Sequence, residues 1–74
     1  MAPITPFLAG RSFDAEMIEV MSFAFVSVCN TLRLNARDPA ATLVAERVIE
    51  LAQRGVRNPA KLRSMTLKAY GFYE

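Results

Sequence analysis

Two pairs of carboxylates stand one helical turn apart in this chain, Glu16 with Glu19 and Glu46 with Glu50. Side chains three or four residues apart share a helix face, so each pair has the spacing of the acids that bridge metal ions inside di-iron bundles. That chemistry needs histidines beside the acids, and none of the 74 residues is histidine. The same gap removes the commonest general base and the mixed Cys/His zinc sites. No glycine-rich phosphate loop is present either. Both acid pairs fall on the polar sides of their segments, as solvated helix acids do. Cys29 is the sole thiol, which excludes an internal disulfide. It lies at the margin of an apolar face with no basic neighbour to favour the thiolate, which predicts an inert buried thiol. The expectation is a protein without catalytic residues, metal or cofactor.

A second grouping could bind charge. Arg54, Arg57, Lys61, Arg63 and Lys68 follow one another with no acid between them, whereas Asp14, Glu16 and Glu19 crowd the other end. Arg57 and Lys61 fall at the start of a helix, where free N–H groups and the helix dipole favour an anion such as a nucleic-acid phosphate. The segments around the turn 55–58 also have the lengths of a helix-turn-helix, with Lys61, Ser64 and Lys68 toward the groove. Against this, the net charge is only +2, and Arg54 precedes Gly55 where such turns want an apolar residue. Nucleic-acid binding through Arg54, Arg57, Lys61, Ser64 and Lys68 is the alternative reading; a solvated basic face is the simpler one.

The elements that position these groups are written plainly. Asp38-Pro39 and Asn58-Pro59 each join an N-cap type to a proline at N1, and Gly55 and Gly71 suit the left-handed C′ position. Leu51 with Val56, and Leu67 with Phe72, have the spacing of the hydrophobic contact in a Schellman ending. Asp14 is the N-cap type for an earlier helix, with Phe13 placed to staple onto Ile18. The pattern predicts an all-α domain over 13–74, with helices about 14–34, 39–54 and 59–70 and an extended N-terminal arm over 1–12. No strand pattern occurs.

At about 100° per residue, the first helix gathers Met17, Val20, Met21, Ala24, Phe25, Val28 and Leu32 on one side. The second gathers Ala41, Val44, Ala45, Val48, Ile49, Leu51 and Ala52; the third, Leu62, Met65, Thr66, Ala69 and Tyr70. One anomaly stands out. Phe23 and Val26 land in the polar stripe of the first helix, flanked by Ser22, Ser27 and Glu19, on a surface that another helix could approach closely. Either a second molecule covers them, or Ile4, Phe7 and Leu8 of the arm, or Phe72 and Tyr73, fold back to do so.

Length favours the second molecule. A chain of 8.2 kDa buries only about 60 to 65 % of its surface on folding, and this one is 53 % apolar with no staple to compensate. The expectation is a homodimer, or a complex with another protein. Pro3, Pro6 and Gly10 interrupt the first residues, so no signal-peptide core forms, and the apolar run Met17 to Cys29 falls short of the roughly 18 residues a membrane span needs. No membrane and a cytoplasmic location are expected.

The stretch from Phe13-Asp14-Ala15-Glu16 through Val44-Ala45-Glu46-Arg47-Val48-Ile49-Glu50-Leu51-Ala52-Gln53-Arg54-Gly55 to Leu62 resembles a group of short helical proteins of α-proteobacteria with no assigned activity. The resemblance covers most of the chain. It implies an all-helical bacterial cytoplasmic protein and brings no catalytic or binding residues with it.

Overall fold

In the computed structural model, which describes residues 4–8, 10–35 and 37–71, three helices follow a short 3-10 turn at Thr5–Phe7. They are α1 (Ala15–Leu32), α2 (Pro39–Gln53) and α3 (Pro59–Ala69), and the described residues contain no strand. Each start is capped as its sequence requires. Asp14 Oδ1 accepts from Met17 N at 2.7 Å, Asp38 Oδ1 from Ala40 N at 2.9 Å and Asn58 Oδ1 from Lys61 N at 3.1 Å. Each carboxylate or amide thus satisfies one of the first-turn N–H groups that the helix leaves free.

The ends of α1 and α2 are Schellman closures. After α2, Val56 N donates to Leu51 O at 3.1 Å and Gly55 N to Ala52 O at 3.0 Å, with Gly55 at φ +99°. After α3, Gly71 N donates to Lys68 O at 3.1 Å, while Phe72, the apolar partner expected for Leu67, lies outside the described residues. The end of α1 differs from expectation. Arg33 takes φ 58°, ψ 42°, and Leu34 N reaches back to Cys29 O at 2.8 Å, so the helix closes at Leu32 and not at Leu34. A non-glycine residue carries the left-handed position here, and the gain is that Leu34 turns back against the core.

α1 packs against both other helices, and the core lies where the three meet. From α1 it takes Met17, Met21, Ala24, Phe25, Val28 and Cys29; from α2, the seven residues on the expected face, Ala41, Val44, Ala45, Val48, Ile49, Leu51 and Ala52. α3 is rotated from its expected setting. Leu62, Thr66 and Leu67 are buried, whereas Met65 and Ala69 are exposed and Tyr70 is half-buried. The apolar content of α3 is too low to fix its own rotation, and the ladder Leu62, Thr66, Tyr70 with Leu67 beside it fits the groove between α1 and α2 better than the ladder through Met65.

The N-terminal segment is not an extended arm. Its turn buries Ile4 completely and Leu8 nearly so, and sets the Phe7 ring 5.3 Å from that of Phe25 at an interplanar angle of 51°. Such a tilted pair is a favourable aromatic contact as well as apolar burial. The segment is held to α1 by Ile4 N, which donates to Ser22 Oγ at 3.4 Å. α1 itself has an 18-residue window of mean hydropathy 1.3, so by length and composition it could cross a membrane, longer than the run from Met17 to Cys29 suggests. In this fold its apolar side is instead the wall shared by α2, α3 and the N-terminal turn.

Candidate partner interface

The outer face of α1 is built by what its inner face excludes. Seventeen of the described hydrophobic residues are buried in the core, and four large ones remain exposed: Phe23 at 55 %, Val26 at 38 %, Leu43 at 56 % and Met65 at 38 %. Phe23 and Val26 share one side of α1, three positions apart, with Glu19 one turn before and Asn30 one turn after, both exposed. The N-terminal turn sits on the opposite side of the helix, on Phe25 and Ser22, and leaves Phe23 open. Phe72 and Tyr73 lie outside the described residues.

The flanking residues divide. Ser22, expected beside Phe23 at the surface, is buried, and its hydroxyl is occupied by the Ile4 backbone. A serine next to a surface aromatic reads as surface, but its position on the wheel lies on the Phe25 side, and the arm's return path encloses it. Ser27 is half-buried, and its carbonyl accepts from Thr31 Oγ1 at 3.0 Å. Glu19 is exposed and has no ion pair among the described residues.

The basic grouping is partly spoken for. Arg54 Nη2 lies 2.8 Å from Glu50 Oε1, the i, i+4 pair its spacing implies, with Arg47 on the same carboxylate at 3.5 Å. Arg57 Nη2 reaches Asp14 Oδ2 at 3.3 Å, tying the start of α3 to the cap of α1. Arg63 donates to Thr31 Oγ1 at 3.3 Å. Lys61 and Lys68 are exposed, Ser64 is half-buried, and Met65 sits between the two lysines on the outer side of α3. The two ends of the chain that looked electrically opposed are therefore joined in one molecule, and this shortens the cationic surface left for a phosphate.

Among the described residues, three groups titrate away from their ordinary values. The Met17 N–H bond holds the Asp14 carboxyl below the usual range, with Arg57 adding to the effect against a smaller cost of burial. Burial pushes the Cys29 thiol up, and the Asp38 charge adds to it, which keeps this sulfur a neutral thiol. Burial likewise raises the Tyr70 phenol. No group of three or more His, Cys, Asp or Glu side chains that could hold a metal exists among the described residues. The two carboxylate pairs on α1 and α2 face outward.

Sequence reasoning passed over Leu43. It is the centre of the polar side of α2 and borders a shallow surface depression with Glu46, Arg47, Glu50 and Tyr70. The signal was the one that identified Phe23, an apolar residue inside a polar stripe. Together the fold and this surface define a small all-helical protein with an aromatic residue exposed on the outer face of α1. No family model matches the chain, and comparison with curated proteins and with solved structures returns none similar to it.

Proposed function

We propose that this protein is a small, non-catalytic binding or regulatory module of the bacterial cytoplasm that self-associates through the outer face of α1 as a two-fold dimer. The supporting observation is Phe23: an aromatic ring 55 % exposed in the middle of a helix whose other side lies in the core. Covering a Phe side chain gains about 1.5–3 kcal/mol, and a two-fold pair covers two. Two exposed apolar side chains are a small anchor beside the roughly 20–30 residues that each side of a standard interface contributes, so a weak, concentration-dependent dimer is expected. Nucleic-acid binding is the less favoured reading, because Arg54 and Arg57 already hold carboxylates of the same chain.

Sedimentation equilibrium over a concentration series tests the proposal. The native chain is expected to shift from monomer toward dimer, and Phe23→Asp to weaken that association at least ~100-fold, the equivalent of one aromatic burial on each copy. A mass that stays monomeric for the native chain into the millimolar range refutes it. So does a dimer unchanged by Phe23→Asp with helicity retained.

A further inference from the structure

The outward stripe of α1 runs Glu16, Glu19, Phe23, Val26 and Asn30, in steps of three and four residues, and Arg33 follows three residues on as the exposed C-cap just past the last turn. That alternation is the spacing of a coiled-coil seam, with Phe23 and Val26 as its two apolar positions and polar groups at both ends. The stripe also has an inverted order of charge about its midpoint. Moving outward from between Phe23 and Val26, Glu19 and then Glu16 occur toward the N-terminus, at the same distances as Asn30 and then Arg33 toward the C-terminus. Glu16, Glu19 and Arg33 are exposed and have no ion pair among the described residues, in contrast to Asp14, Glu50, Arg54 and Arg57. Arg33 is held at the C-cap by the closure that fixes its backbone, so its side chain leaves from a defined point at the helix end.

Resting on the self-association reading above, we infer that the occupant of this face is a second copy of the chain, packed antiparallel across a two-fold axis that passes between Phe23 and Val26. Phe23 of each copy then lies over Val26 of the other. Glu19 meets Asn30, Glu16 meets Arg33, and the axis repeats every contact. Parallel packing would instead set Glu16 and Glu19 against their own copies at one end and Arg33 against Arg33 at the other. Turning one helix over converts those repulsions into attractions and opposes the two helix dipoles. Asn30, a polar residue at a seam position, meets polar Glu19 in this register, whereas a slip of one heptad sets it against Val26 or past the start of the partner's helix.

Two measurements on the full chain test the orientation. In sedimentation equilibrium, Glu16→Arg and Arg33→Glu each place like charges at both ends of the antiparallel pair and are expected to weaken self-association about tenfold. An equimolar mixture of the two variants, and the doubly exchanged chain, are expected to regain native affinity. Under parallel packing neither single exchange alters the balance of repulsions. The second measurement is cross-linking with oxidised glutathione, since a disulfide needs Cβ atoms about 3.5–4.5 Å apart. A mixture of Glu19→Cys and Asn30→Cys chains is expected to give a covalent heterodimer, and Glu19→Cys alone to give none. Efficient cross-linking of Glu19→Cys alone, or single charge exchanges without effect on a dimer that still forms, overturns the antiparallel register while leaving self-association in place. A native chain monomeric at every concentration overturns both.

Discussion

Thr66 stands out in the fold: its side chain is completely buried in α3, and its hydroxyl has no hydrogen-bond partner among the described residues. A buried hydroxyl without a partner has given up its water for nothing, at a cost of roughly 1–3 kcal/mol. Thr66→Val keeps the shape and removes the cost, so it is expected to raise stability by about 1 kcal/mol in a urea denaturation series. Asp14 makes the opposite case, a polar side chain with two partners, Met17 N and Arg57. Its folded pKa lies below its unfolded one, so the native state resists protonation more than the unfolded chain does. The stability it lends is therefore complete above the ordinary carboxylate range and is lost as pH falls through that range and below it. Melting temperature followed by circular dichroism should fall on acidification for the native chain, and fall less for Asp14→Asn, which keeps a capping oxygen but cannot titrate. Capping residues such as Asp14 were legible in the sequence because a cap is a contact within four residues. The orphaned Thr66 hydroxyl was not, because its isolation depends on which atoms of α1 and α2 surround it.

At the scale of elements, α2 and α3 give opposite lessons from the same capping grammar. α2 has seven apolar residues at helical spacing, and all seven expected positions are buried. α3 has fewer, so its caps set where it starts and stops, while its rotation was decided by the groove it enters. The contrast is measurable. Leu67→Ala is expected to cost about 2–5 kcal/mol as a core truncation, and Met65→Ala to stay within about 0.5 kcal/mol. Equal losses at the two positions would return Met65 to the core. The end of α1 shows a second limit of reading by type. Gly55 and Gly71 announce left-handed closures, but Arg33 adopts the same backbone without being glycine, at a cost of roughly 1 kcal/mol for its Cβ that the closing hydrogen bonds and the packing of half-buried Leu34 against the core offset.

For the molecule as a whole, the Cα extents of 29 × 25 × 15 Å describe a slab two helix layers thick, since helix axes pack 8–10 Å apart. Every helix in such a slab keeps one face in solvent, which is why Phe23, Leu43 and Met65 emerge on three different helices. Only α1 offers two large apolar residues side by side on that face, and there the pairing proposal separates monomer stability from dimer affinity. Arg33→Gly relieves the left-handed strain and removes the charge that would meet Glu16. It is expected to raise the melting temperature of the dilute monomer, by the equivalent of about 0.5–1 kcal/mol, and to weaken self-association in the same preparation. A variant with both quantities raised would contradict the role given to Arg33. Sequence alone determined the number of helices, their caps, the buried face of α2 and the oddness of Phe23, since all of these follow from contacts a few residues apart and from helical period. Only the tertiary structure decided that the N-terminal segment turns inward to bury Ile4, that Ser22 lies beneath it, how α3 is rotated and which arginines are already engaged. Those outcomes depend on the shape of the groove and the path of the chain between residues far apart in sequence, and no local pattern carries that information.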